Sequence, residues 1–190
     1  PVLAGVVLLA AVVRPADAQD PDRRRGLWFG LGLGQAWAEA TCSVCFAQET
    51  SPAAQVSVGG TMSRRLLAGV EGTGWFKGGQ ADRSFLMVAA AGTFYPMPDL
   101  GLHVKAGLGQ YWYVEEDPVI ELSTQGLALQ LGVGFDIPVT PGVSLAPFAG
   151  LVSTGAGNPT RLDKASGFKQ PLFSDMTVKL FQFGLRVTLH

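Results

Sequence analysis

Charge is scarce in this sequence, and so are cysteine and histidine. Asp, Glu, Lys and Arg make up 15% of the 190 residues, against about 25% in an ordinary soluble domain. The net charge is −1, and the longest basic run, Arg23-Arg24-Arg25, lies close to Asp20 and Asp22. A nucleic-acid partner would call for a basic patch or stripe, so none is expected. Two cysteines and two histidines are a thin supply for a metal centre, and no cofactor is expected. Long apolar runs are missing too. The longest, from Val2 to Val13, falls short of the roughly 20 residues that a transmembrane helix needs.

That short run has another reading. It is followed by Arg14-Pro15-Ala16-Asp17-Ala18-Gln19, and Ala16-x-Ala18 has the small-x-small form of a signal-peptidase site. Residues 1–18 are therefore expected to be a secretion signal, truncated at its start and cleaved. Residues 19–190 would form one domain. Any membrane role must come from strands, since no other segment could cross as a helix.

What the sequence does hold is 25 glycines and 47% hydrophobic residues, arranged with a period of two. Leu27, Phe29, Leu31 and Leu33 alternate with Gly30, Gly32 and Gly34. Val56 and Val58 alternate with Gln55, Ser57 and Gly59, and Leu66, Ala68 and Val70 with Gly69, Glu71 and Thr73. Residues 84–95 are apolar without a clear facing. Leu102, Val104, Ala106, Leu108 and Trp112 oppose His103, Lys105, Gly107, Gly109 and Tyr111. Leu127, Leu129, Leu131, Val133 and Phe135 oppose Ala128, Gln130, Gly132, Gly134 and Asp136. A proline-interrupted segment follows at 142–152. The last, 178–190, sets Phe181, Phe183, Leu185, Val187 and Leu189 against Gln182, Gly184, Arg186 and Thr188. These segments predict eight strands of roughly 9–13 residues, enough for a tilted membrane strand.

The links between them sort into two kinds. Ser63-Arg64, residues 96–100 and residues 138–141 are tight, whereas the links near 38–52, 77–83, 114–125 and 153–177 are more polar and mostly longer. Short turns on one rim and long loops on the other are the asymmetry of bacterial outer-membrane barrels. Aromatic residues gather near strand ends, with Trp28, Tyr95 and Phe135 toward the short turns and Trp37, Trp75 and Trp112 toward the loops. They are expected to form the two interfacial girdles of such a barrel. The fold class expected is all-β: an eight-stranded antiparallel up-and-down transmembrane barrel.

The chain resembles the small outer-membrane β-barrel superfamily, the grouping of OmpA, OmpX and OmpW type. The resemblance is carried by the signal segment, by Gly30-x-Gly32-x-Gly34, by Gly107 to Gly109 and Gly132 to Gly134, and by the final amphipathic strand. It implies a Gram-negative outer-membrane location, lipid and lipopolysaccharide as surroundings, monomeric behaviour, and insertion by the barrel-assembly machinery. Family members commonly end in Phe or Trp, whereas here Leu189 is followed by His190.

Among chemistry-bearing residues, Glu71, Lys105, Arg186, Gln130 and Gln182 fall on the inward-facing sets, with His103 beside them. A lumen of eight strands is just wide enough for side chains to fill, and unpaired buried charge is too costly to persist. Glu71, Lys105 and Arg186 are thus expected to form an ion-pair cluster that plugs the barrel; the alternative is a narrow pore of the OmpW type. Cys42-x-x-Cys45, in an exported chain, is expected to form a local disulfide. Catalysis is not expected, because His103 has no serine partner nearby. Gly26-Leu27-Trp28 is shared with the start of lipocalins, which keeps a soluble ligand-binding barrel as a second alternative. The polar link 152–177 is a candidate binding loop and is expected, by default, to be mobile and solvated.

Overall fold

The computed structural model describes residues 26–41, 46–79, 81–172 and 175–190. The expected signal segment and the Cys42–Cys45 pair lie outside the described residues. Eleven strands run in chain order: β1 Leu27–Thr41, β2 Phe46–Ser63, β3 Leu66–Lys77, β4 Asp82–Met97, β5 Leu102–Glu116, β6 Ile120–Phe135, β7 Ile137–Thr140, β8 Val143–Thr154, β9 Thr160–Asp163, β10 Lys169–Pro171 and β11 Thr177–Leu189. Among the described residues no helix is long and apolar enough to cross a membrane.

Eight of these strands form a closed antiparallel barrel. Strands β1 to β6 pair in sequence, β1 also pairs with β11, β11 with β8, and β8 with β6. Strand β7 continues β6 in the same register, since Gly134 lies opposite Phe148 and Ile137 opposite Leu145, with Asp136 interrupting the two. One circuit along directly opposed residues runs Phe29, Val58, Val70, Ala90, Leu108, Leu129, Ser153, Lys179 and back to β1 at Glu39. The return from position 29 to position 39 is a shear of ten residues. With eight strands it sets a tilt of about 40°, inside the usual range for closed barrels.

The exterior is apolar. On β6 the outward residues Leu127, Leu129, Leu131, Val133 and Phe135 are all exposed, and above them come Gln125, Ser123 and Glu121. Leu127 to Phe135 spans about 20 Å along the barrel axis at that tilt, close to the roughly 25 Å apolar band of an outer-membrane barrel. The same change occurs on β11 at Lys179. A water-soluble barrel, lipocalins included, would put its apolar set inside.

Three expectations need correction. First, the links at 38–52 and 114–125 are mostly strand: β2 begins at Phe46, and β5 and β6 are separated only by residues 117–119. Outside the membrane the outward face of a strand meets water and is polar. The inward positions here are small or polar, as at Ala38, Ala40, Ser51 and Thr124, so these stretches carry no apolar alternation to mark them. The strands accordingly run to 18 residues and raise a wall above the belt. Second, the link 153–177 carries strand of its own. Strand β9 joins the edge of β6 above the place where β8 leaves it, β10 pairs with β9, and Gly157 bridges to Met176. Third, Trp75 and Tyr95 are not girdle residues. They face inward at 1% and 2% exposure; their neighbours Phe76 and Phe94 are the exposed ones, because adjacent strand residues point to opposite faces. Trp28 is likewise on the inward set with Gly30, at the rim. Trp37, Trp112 and Phe135 do face outward, and Trp37 stacks on Phe181 and Phe183 at ring separations of 5.5 and 5.1 Å. Residues 84–95, ambiguous in sequence, place Phe85, Met87 and Ala89 inside and Leu86 and Val88 outside.

Candidate functional site

The barrel interior is built in two tiers. Toward the loop end it is an apolar core of Trp75, Phe85, Met87, Tyr111, Tyr113, Met176, Val178 and Leu180, all buried. The facing part of β1 supplies Ala36, Ala38 and Ala40, whose small side chains leave room for the rings. Phe85 and Tyr111 stack with centroids 6.0 Å apart. Toward the turn end the inward positions are polar.

Glu71 of β3 is the hub of that polar tier, at 2% exposure. Its Oε1 accepts from Lys105 Nζ of β5 at 2.5 Å and from Gln130 Nε2 of β6 at 3.1 Å. Its Oε2 lies 4.0 Å from Arg186 Nη1 of β11. The other guanidinium nitrogen, Nη2, is 2.7 Å from His103 Nε2. A guanidinium only donates, so Nε2 carries a lone pair and the ring is neutral with its proton on Nδ1. That proton points to the Gly101 carbonyl at 3.3 Å, with Asp136 Oδ1 at 3.6 Å from the same nitrogen. Tyr95 donates to Asp136 Oδ2 at 2.7 Å. The network thus runs from the middle of the barrel to its turn rim, and its charges balance: Lys105 and Arg186 against Glu71 and Asp136.

Local sequence explains why these side chains fit. A Cβ at Gly134 would stand 2.6 Å from His103 Nε2, and one at Gly107 would stand 2.9 Å from Gln130. The glycines of the Gly-x-Gly segments are the space that the long polar side chains occupy. Gly101, at φ 71° in the turn after β4, is left-handed, and a Cβ there would meet the Asp136 carbonyl. Its amide neighbourhood holds both ends of the His103 and Asp136 contact, since Asp136 N–H also donates to Gly101 O at 2.9 Å.

Of the residues singled out in sequence, Glu71, Lys105, Gln130 and Arg186 meet in one cluster. Gln182 lies inside at 3% exposure but bonds none of them; with Gln55 and Arg186 it lines a small void of about 10 Å³. Asp136 and Tyr95 were missed as members, and Gln55 was missed as a lining residue of the void. Gln55 and Asp136 share the parity of the inward sets and could have been found from it, whereas Tyr95 was hidden by the uniformly apolar run before it. His103 is 1% exposed and its Nε2 is taken by Arg186, so it has no geometry for general-base work.

A second cluster stands at the loop rim. Arg83 bonds Glu49 and Glu115, each at 2.8 Å, and Lys77 stands 3.9 Å from Glu49. The tip of the β9–β10 hairpin is fastened to the β5–β6 turn by Lys164, whose Nζ reaches Glu116 at 2.6 Å.

No family model and no curated protein matches this chain. Solved structures do. Neisserial surface protein A is 15% identical, with 85% of this chain and 96% of that one covered at a TM-score of 0.58. The outer membrane protein OprG of Pseudomonas aeruginosa is 14% identical, covering 92% and 100% at 0.54. Ail, the attachment invasion locus protein of Yersinia pestis, solved in complex with the heparin analogue sucrose octasulfate, is 14% identical, covering 86% and 99% at 0.52. With its closed ring and apolar belt, the chain has the fold of the small bacterial outer-membrane barrels: an eight-stranded antiparallel transmembrane β-barrel.

Proposed function

We propose that this chain is an integral protein of a Gram-negative outer membrane, non-enzymatic and sealed to solutes, whose raised wall serves as a structural or adhesive surface. The observation that carries the reading is the filled lumen. An apolar tier with Trp75, Phe85, Met87 and Tyr111 at 1% exposure or less lies above a charge-balanced polar tier. Water and ions would have to pass both, and an apolar constriction excludes them by dewetting. The polar tier is then a device for holding five strands, β3, β4, β5, β6 and β11, in register, and the apolar tier is the barrier.

The surface chemistry narrows the adhesive role. The tip of the β5–β6 hairpin carries Glu115, Glu116, Asp117 and Glu121, the first two already paired with Arg83 and Lys164. Residues 106–135 hold no Lys or Arg that could bind a polyanion. The heparin analogue held by Ail is therefore not proposed as a ligand here.

Conductance decides between a sealed barrel and the alternative, a passive channel. The mature protein, folded in detergent and moved into a planar bilayer, should give no steady openings; regular ion-sized openings in the wild type favour the channel. Membrane residence is checked by extraction. The folded protein should need detergent and change apparent mass on a gel after boiling.

A further inference from the structure

We infer that the polar tier contains a binding site for one water molecule, and that the site discriminates against ions. The void of about 10 Å³ between β2, β5, β6, β8 and β11 is lined by Gln55, His103, Lys105, Gln130, Phe148, Gln182 and Arg186 among others. Four buried polar atoms of its lining have no hydrogen-bond partner among the described residues: Gln55 Nε2, Gln55 Oε1, Gln182 Oε1 and Arg186 Nε. The three side chains are 2%, 3% and 6% exposed. Other buried atoms in that condition, such as Thr73 Oγ1, Trp75 Nε1 and Ser144 Oγ, do not line this void.

The four atoms divide evenly. Arg186 Nε–H and the Gln55 amide donate, while the Gln55 and Gln182 carbonyl oxygens accept. A halide needs donors on every side and a metal cation needs acceptors, so each would face two atoms of the wrong sign. Water takes two hydrogen bonds and gives two. The volume is about the minimum that holds one water molecule. Charge points the same way. Lys105 and Arg186 would draw an anion if they were unbalanced, but Glu71 and Asp136 neutralise them within the tier. The bound water then joins Gln55 of β2 and Gln182 of β11 to the ion cluster, which their own side chains do not reach.

The test is a crystal structure of the detergent-solubilised wild-type barrel, soaked in sodium bromide and measured at the bromine edge. The expected map has a single peak within hydrogen-bond reach of Arg186 Nε, Gln55 and Gln182, with no anomalous signal on it. A bromide peak there overturns the inference, and so does an empty void in a map that resolves other ordered waters. In solution the Arg186 Nε–H should show a long-lived nuclear Overhauser contact to water that is lost in Gln55→Met. Persistence of that contact in a folded Gln55→Met barrel, judged by its gel shift, also overturns it.

Discussion

Replacing Lys105 by Met should cost far more than replacing both Lys105 and its partner. The single change leaves Glu71, 2% exposed, without the ammonium that sits 2.5 Å from its Oε1. The tier then carries an excess negative charge. Breaking a buried pair from one side costs about 3–5 kcal/mol, whereas replacing both partners is often neutral. The lower end is expected here, about 3 kcal/mol, because Gln130 still donates at 3.1 Å and Arg186 remains at 4.0 Å. Glu71→Gln alone leaves excess positive charge from Lys105 and Arg186 and should also destabilise. In the double variant Glu71→Gln/Lys105→Met, Arg186 and Asp136 remain to balance each other, so most of the loss should be recovered. Urea unfolding in lipid vesicles, followed by tryptophan emission and by the gel shift, measures the four corners of the cycle. A coupling near 2–3 kcal/mol is expected from such contacts. Additive effects, or a Lys105→Met cost under about 1 kcal/mol, the worth of an exposed pair, would refute the reasoning.

Four further outcomes are expected. Leu129→Arg, in the middle of the outward belt, should destabilise the inserted barrel by about 2–4 kcal/mol, and Gln125→Arg, at its upper edge, by about 0–1 kcal/mol, as read from the same urea titrations. In variants keeping one tryptophan each, lipid-attached quenchers should dim Trp37 and Trp112 but leave Trp75 bright. Gly134→Ala should displace His103 from Arg186 and cost about 1–3 kcal/mol by overpacking, seen as an earlier urea midpoint. The turns at the loop rim should loosen only in acid. Backbone N–H groups of Ile120 and Val119 hold Asp117 below the usual carboxylate range, and those of Ser166 and Ala165, with the Ser166 hydroxyl, do the same for Asp163. A depressed carboxylate stabilises the fold above its unfolded pKa of about 3.9 and loses that contribution as pH falls below it. The β9–β10 hairpin should therefore resist cleavage at pH 5 and become sensitive to pepsin near pH 3.

Most of the barrel was legible in sequence because a membrane wall forces alternation. Each spanning strand puts apolar atoms against lipid and must fill a narrow interior with glycine, alanine or paired polar groups. That pattern located Glu71, Lys105, Gln130 and Arg186 from parity alone. It failed in two physical situations. Where the interior turns apolar, as along Phe85, Met87 and Ala89, both faces look alike, and the parity of Tyr95 was lost with it, whereas Trp75 shares the parity of Glu71 and Thr73 and could have been placed inside. Where the strand leaves the membrane, as from Gln48 to Ser51, both faces are polar and strand resembles loop. The length of the wall and the β9–β10 hairpin are set by cross-strand hydrogen bonds, which leave no such mark.

The join between β1 and β11 carries a consequence for how the barrel comes to exist. Phe29 lies opposite Leu189 and Thr41 opposite Thr177, so the ring is sealed by the two segments most distant along the chain. Every other barrel hairpin can form locally, but this one must wait for the rest, and long-range pairing is slow because loop closure opposes it. Until then the molecule is an open sheet with two raw edges, lined outside by Leu31, Leu33, Phe183 and Leu185. Such edges pair readily with other chains. A seam of this kind leaves the molecule most open to wrong pairing just before it closes, and least once it is zipped.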